Sequence, residues 1–259
     1  MQNNLKYKEV TELSGDDISQ EQLVRLCSRY YWAEEHCRGK DVLEVACGAG
    51  AGLGYLAQTC KTIEACDIDP EIVEIAKSHY KDRFKIVTGD AHQLPFDNLS
   101  KDVIILFEAL YYIKDVENFI SECKRILRPN GMLLISLPNK SLYDFNPSPL
   151  SHKYFTISEL NNLLDGCGFK TNFLGGTKIS TVSWRQKILR PVKKVAVLLN
   201  LVPKSMNGKK LLKKLIFGEL IHMPHEIHSS TAKRELFTDL DLDKIDLDHK
   251  VIYSVSTLS

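Results

Sequence analysis

The chain lacks the features that would place it quickly in several large classes. Its longest apolar stretch, "VAVLLNLV" at 195–202, is far too short to span a bilayer, which excludes a membrane-spanning helix there. The opening "MQNNLKYKEVTELSGDD" has no apolar signal core. Seven cysteines (27, 37, 47, 60, 66, 123 and 167) are odd in number, and none form a C-x-x-C pair. That excludes a disulfide framework and a zinc ribbon, and it points to a reducing, cytoplasmic setting. Net charge is nearly absent at +1, so the chain as a whole does not advertise nucleic acid. There is no internal repeat and no low-complexity tract.

What is present suits a globular α/β protein. The 259 residues are 44% hydrophobic and 26% charged, enough for one large domain or a domain with an insertion. "SQEQLVRLCSRYYWAEEHC" reads as a helix, with Ser19 and Gln22 at capping-box spacing. From there short apolar runs alternate with helical patterns. The predicted strands are "KDVLEVAC", "TIEACDID", "FKIVTGDA", "KDVIILFEAL", "GMLLISLP", "KTNFLGG" and "KVIYSVSTL". Predicted helices include "LGYLAQTC", "PEIVEIAKSHY" with Pro70 in its first turn, "DVENFISECKRILRP", and "TISELNNLLDGCGF" with Thr156 and Glu159 at capping-box spacing. This alternation predicts a Rossmann-like, mostly parallel seven-stranded sheet with helices on both faces.

Charge is distributed unevenly. No Asp or Glu occurs between Gly166 and Gly218, whereas residues 178–214 hold eleven Lys or Arg. Without those eleven the rest of the chain carries a net −10. The expected organisation is a core over 1–177, a basic helical insertion or lid over 178–228, and a return to the core over 229–259. Within the insertion, "KILRPVKKVAVLLNLVP" and "GKKLLKKLIFGEL" mix basic and aliphatic residues at helical spacing. Three uses follow: a lid, recognition of an anionic acceptor, or peripheral contact of residues 185–217 with an acidic membrane surface. Aromatic–basic interleaving and RNA-binding modules are missing, so nucleic acid is not the expected partner.

The chemistry concentrates at "VLEVACGAGAGLGYLA", where Gly48, Gly50, Gly52 and Gly54 stand at alternate positions. A dinucleotide fingerprint needs a third glycine at Leu53 or Tyr55, and a phosphate loop needs Gly-Lys-Ser/Thr. Both frames fail. Alternate glycines let a loop pass close beneath a flat ligand. Glu44, just before them, would repel a pyrophosphate and suits a cationic group. Asp67 ends the second predicted strand, where it can accept from ribose hydroxyls. Asp90 follows the third, where it can read an adenine edge. Three acids at three successive strand ends would meet in the crevice outside the carboxyl ends of an open α/β sheet.

Taken together, these segments resemble class I S-adenosylmethionine-dependent methyltransferases of the type-11 branch. "VLEVACGAGAGLGYLA", "ACDIDPEIVEIAK", "GDAHQLPFDNLSKDVIILFEALYYIKD", "ECKRILRPNGMLLISLP" and "HKYFTISELNNLLDGCGF" carry the likeness from about residue 20 to 175. "SRYYWA" further resembles a helix of members from bacterial glycan pathways, and there the tyrosine reaches the cofactor. The resemblance implies S-adenosylmethionine as cofactor and S-adenosylhomocysteine as product. Glu44, Ala46, Gly48 and Gly50 would line its methionine part. Asp67 would hold the ribose, with Ile68, Asp90 and Ala91 around the adenine and Phe107 and Tyr30 beside it. The family usually has glycine where Ala46 stands, and many members have a His pair where Tyr111 and Tyr112 stand. Candidate general bases are His152, Tyr111 and Tyr112. The Asn/Asp-Pro-Pro-Tyr turn of adenine- and glutamine-methylating enzymes is missing after the fourth strand. The expected reaction is methyl transfer to a small-molecule or glycan acceptor, most simply a sugar hydroxyl, anionic or lipid-linked. The alternatives are a natural-product or RNA acceptor, or cofactor binding without turnover. "HMPHEIH" places His222, His225 and His228 close in sequence, but Pro224 interrupts any regular face, so no metal is expected.

Overall fold

The computed structural model describes Tyr7, Thr11 and residues 13–181 and 219–258. The expected lid therefore lies largely outside the described residues. Strand β1 (Asp17–Ser19) leads into helix α1 (Gln20–Cys37). Ser19 caps that helix through the predicted reciprocal box with Gln22. Strand β2 (Asp41–Val45), helix α2 (Leu53–Leu56), strand β3 (Thr62–Asp67) and helix α3 (Pro70–Tyr80) follow. After them come β4 (Lys85–Thr88), β5 (Lys101–Phe107), α4 (Val116–Ile126), β6 (Leu127–Pro138), α5 (Ile157–Gly166) and β7 (Phe169–Lys178). The described chain resumes with β8 (Leu220–His222), β9 (Thr238–Asp239) and β10 (His249–Leu258). The helix expected over "LGYLAQTC" is a single turn. Gly52 at its N-cap offers no side-chain hydrogen bond, and the Tyr80 hydroxyl, from α3, accepts the Gly54 N–H at 3.3 Å.

The main sheet has eight strands in the order β4-β3-β2-β5-β6-β10-β7-β9. This corrects the expected count of seven strands, while parallel pairings still outnumber antiparallel ones, four to three. The first five strands in this order pair in parallel, joined by helices except between β4 and β5, where residues 89–100 form a loop. β10 runs antiparallel to both β6 and β7, and β9 adds a short antiparallel edge strand to β7. The sheet is therefore mixed. A separate pair forms where β8 lies antiparallel to β1, with Asp17 opposite His222 and Ser19 opposite Leu220. That pairing returns residues 220–222, assigned by the sequence to the insertion, to the start of the chain.

Helices cover both faces, as the alternation predicts. Val103, Ile105 and Phe107 of β5 point into one core with α1 and α3. Ile104 and Leu106 point into the other with α4 and α5. Burial on both sides explains why this strand is continuously apolar. At the amino ends of the strands Asp41 gathers Arg128 (2.9 Å), Lys61 (3.2 Å) and Thr62 (2.8 Å), and Arg128 also holds Asp102 (2.8 Å). Those donors, Thr62 first, then Arg128 and Lys61, hold Asp41 well below the usual carboxylate range, at about 2.

Candidate active site

At the opposite, carboxyl ends of β2, β3, β4 and β5 the loops open a cavity of about 360 Å³. That is within the range of small-molecule sites. It is lined by Glu44 to Ala49, Asp67, Ile68, Gly89 to His92, and Phe107 to Ala109. The registers explain the convergence: Val45 of β2 stands beside Cys66 of β3 and Leu106 of β5, so the residues that follow all emerge at one level. α1 supplies Arg25, Leu26, Arg29 and Tyr30 from one helix face, at i, i+1, i+4 and i+5.

Glu44 lies at the floor and is 2% exposed. Its Oε1 accepts the Tyr30 hydroxyl at 2.7 Å. Its Oε2 is buried with no hydrogen-bond partner among the described residues. Burial pushes the carboxyl up to about 7, against the opposing pull of the Tyr30 hydroxyl and the Arg29 charge. A buried carboxylate oxygen without a donor is costly unless a ligand completes it. A cationic centre does that and a phosphate does not, so the donor set fits S-adenosylmethionine. Burial also raises the Tyr30 phenol far above its usual range, so it stays a neutral donor.

Asp67 closes the loop over this floor. Its Oδ2 accepts Gly48 N–H at 2.9 Å and its Oδ1 accepts Asp69 N–H at 3.0 Å. Each oxygen keeps further acceptor capacity toward the cavity. Burial raises its carboxyl above the ordinary value. Asp90 sits at the rim, where its Oδ1 accepts His92 N–H at 2.9 Å and lies 2.6 Å from His92 Nδ1. Those contacts, the backbone one first, hold it below the ordinary value. Between them Ile68 leaves 46% of its surface exposed in the crevice, an apolar shelf for a flat ring.

The four glycines divide into two pairs. Gly48 and Gly50 have φ of +57° and +76° and turn the loop under the cavity. Gly52 and Gly54 make room for the protein's own side chains. A Cβ on Gly52 would overlap the Tyr30 ring, and one on Gly54 would overlap the Glu226 carboxylate. Ala46 adopts φ +55°, a left-handed conformation that suits the glycine the resemblance leads one to expect there.

The acceptor side is aromatic. Tyr111 stacks on Tyr154 with centroids 4.5 Å apart, Tyr112 lies against Tyr111, and Tyr7 meets Tyr112 edge-on. The Tyr112 hydroxyl donates to Ser148 Oγ at 2.8 Å. Burial pushes both Tyr111 and Tyr112 upward, Tyr111 far more, which disfavours either as a base. His152 lies exposed at the mouth, its backbone N–H donating to the Tyr111 carbonyl at 2.7 Å. All ten predicted cofactor residues except Gly50 line the cavity, as do the three predicted bases. Sequence reasoning missed Glu108, which lines it directly after Phe107 at φ +53°. The signal was available: Glu108 is a fourth acid at a fourth strand end. Met223, just past β8, also reaches the cavity, and no sequence pattern announces that.

The three histidines of "HMPHEIH" disperse. His222 lies 3.3 Å from Asp17, His225 stacks on His79, and the His228 carbonyl accepts the Tyr31 hydroxyl. No group of three His, Cys, Asp or Glu that could hold a metal forms among the described residues. Nor is any helix among them long and apolar enough to cross a membrane.

Known proteins agree with this geometry. The type-11 family profile, described as "Methyltransferase domain", matches residues 43–135. A probable S-adenosylmethionine-dependent methyltransferase of Mycolicibacterium smegmatis is 31% identical over 159 residues, 56% of this chain and 62% of that one. The phthiotriol/phenolphthiotriol dimycocerosates methyltransferase of Mycobacterium leprae is 39% identical over 98 residues, 37% of this chain and 36% of that one. The chain thus spans less than two thirds of each of these curated relatives. A solved structure from Thermotoga maritima, a S-adenosylmethionine-dependent methyltransferase and possible histamine N-methyltransferase, superposes with a TM-score of 0.59. It covers 92% of both chains at 14% identity, a likeness of fold. Strand order, the acid-lined crevice and the profile match converge on one statement: residues 43–135 are similar to a type-11 methyltransferase domain, set in a fold shared with solved S-adenosylmethionine-dependent methyltransferases.

Proposed function

We propose that the protein transfers the methyl group of S-adenosylmethionine to a hydroxyl of a small-molecule or glycan acceptor, with a sugar hydroxyl as the favoured target. One observation supports this reading. The crevice joins a carboxylate floor suited to a cation (Glu44, Asp67) with a tyrosine wall (Tyr111 and Tyr112, the former backed by Tyr154) suited to the apolar face and hydroxyls of a ring. S-adenosylmethionine, when bound, supplies an electrophilic methyl group. Glu44, Ala46, Gly48 and Gly50 hold its methionine part, with Tyr30 and Phe107 beside them. Asp67, Ile68, Asp90 and Ala91 hold the nucleoside. The tyrosine wall orients the acceptor and excludes water, which is where most of the acceleration of such a transfer arises. Glu108 receives the acceptor's proton, with His152 at the mouth as the second candidate.

An anionic or lipid-linked acceptor fits the basic, aliphatic sequence of residues 185–217 and the lipid-type name of the Mycobacterium leprae relative. Two steps test the reading. Calorimetry with S-adenosylhomocysteine should show binding below millimolar concentration. Methyl-labelled S-adenosylmethionine should then be offered with sugar phosphates, lipid-linked glycan extract and RNA in parallel. Alkali-stable label in a sugar or lipid-linked product is the expected result. Label in RNA alone, or cofactor binding with no transfer to any of the three, would overturn the acceptor assignment.

A further inference from the structure

Glu44 is an odd residue on which to place a permanent negative charge. It sits in the middle of the sheet on β2, between β3 and β5, with 2% of its surface exposed. It has one hydrogen-bond donor, the Tyr30 hydroxyl, and its second oxygen is buried without one. Among the groups that face it, Arg29 on α1 favours its charge and Asp67 at the end of β3 opposes it. The surrounding thiols of Cys37, Cys47 and Cys66 and the phenol of Tyr80 are all pushed above their ordinary ranges, so none compensates or competes as an anion.

We propose that the free crevice keeps Glu44 protonated below neutral pH, and that a cationic ligand displaces this proton, so that cofactor binding releases one proton per molecule. The inference rests on the cofactor reading above and extends it. The exchange balances: the Glu44 O–H breaks, the proton leaves to solvent, and the carboxylate remains against the ligand's ammonium or sulfonium. The value of about 7 for the free crevice sets the window. A bound cation lowers the carboxyl, so affinity rises with pH on the acid side and levels off above about 7. Asp67 keeps two backbone N–H donors that favour its charged form, against the burial that raises its carboxyl.

The test is isothermal calorimetry of S-adenosylhomocysteine at pH 6 and pH 8, each in two buffers of different ionisation enthalpy. The wild-type protein should release about 0.9 proton at pH 6 and about 0.1 at pH 8, with affinity rising roughly tenfold from pH 5 to pH 6. Glu44→Gln should bind with no proton release and a flat acid limb. Should that variant fail to fold, Glu44→Asp and the wild-type proton count decide alone. S-adenosylmethionine provides a second arm. Equal release with both ligands assigns the ammonium to Glu44, and release only with S-adenosylmethionine assigns the sulfonium. Binding of both ligands at pH 6 with under about 0.2 proton released by either one overturns the inference. Absence of binding by either ligand at millimolar concentration instead overturns the cofactor reading, so the two failures are distinct.

Discussion

At the scale of single residues, Ala46 shows how a small departure from a family pattern acquires a physical meaning. Its φ of +55° costs an L-residue about 1–2 kcal/mol, against roughly 0.5–1 kcal/mol lost to chain entropy by a glycine. Ala46→Gly should therefore raise stability by up to about 1 kcal/mol in urea unfolding, with S-adenosylhomocysteine affinity unchanged. Glu108 shares the same backbone region two positions past Leu106, which stands beside Val45. Strain of this kind persists where surrounding structure imposes it, often at functional sites. Glu108→Gln should lower the rate of methyl transfer by about 10²–10⁴-fold while leaving S-adenosylhomocysteine binding within twofold. His152→Asn should cost less than about tenfold if Glu108 is the base; the reverse order would reassign the role to the histidine. Glu44, Asp67 and Asp90 were legible because an acid at a strand end needs only the strand to be recognised. Glu108 obeys the same rule, but the tyrosines that follow it drew the chemical reading to themselves.

At the scale of elements, the glycine stretch divides its labour. Its alternation reads as clearance for a ligand, but of the four only Gly48 lines the cavity, and Gly50 serves the turn through its positive φ. Gly52 instead clears the Tyr30 ring, which must lie flat there for its hydroxyl to reach Glu44. Gly52→Ala should therefore displace Tyr30, cost about 1–3 kcal/mol of stability, and weaken S-adenosylhomocysteine binding; unchanged calorimetry would argue against this coupling. Sequence spacing could not separate the two pairs of glycines, because the atoms that need the space belong to α1 and to residue 226. The opposite end of the sheet serves stability. Asp41 sits at about 2, below its unfolded value near 3.9, so its contribution is present above pH 4 and is lost as pH falls toward 2. Asp41→Asn should lower stability at pH 7 by about 2 kcal/mol and blunt that acid limb, with no effect on cofactor affinity. The capping boxes of α1 and α5 were legible in full, since a cap is a contact between residues three apart.

At the scale of the whole molecule, the chain beyond the basic segment returns as a strap across the glycine loop. β8 pairs with β1, and Met223 enters the cavity. Glu226 accepts Arg83 at 3.1 Å and lies 3.3 Å from His79, and Ile227 N–H donates to Ala51 O at 2.9 Å. The segment that precedes the strap carries the basic residues, so whatever those residues contact is tethered to the crevice by a few residues of chain. The protein should co-sediment with vesicles rich in anionic lipid at low salt and release near about 0.5 M salt, where surface charge is screened. Replacing Lys209, Lys210, Lys213 and Lys214 by Gln should abolish that binding without altering the binding of S-adenosylhomocysteine. Persistence of vesicle binding in the variant would sink the membrane reading.

Local pattern was sufficient for everything whose partners are near in sequence. That includes the alternating strands and helices, the caps, the burial of β5 on both faces, and three of the four acids at strand ends. Tertiary structure alone decided the rest. β10 enters between β6 and β7, β9 pairs with β7 and β8 with β1, because backbone hydrogen bonds were available at strand edges that no short window can see. Tyr30 reaches Glu44 across fourteen residues of sequence, and Glu226 reaches the glycine loop across more than 170. The acidic floor could be read from the order of residues, but its desolvation could not, because burial is a property of the packed sheet. That burial is what makes Glu44 a proton-linked site for a cation.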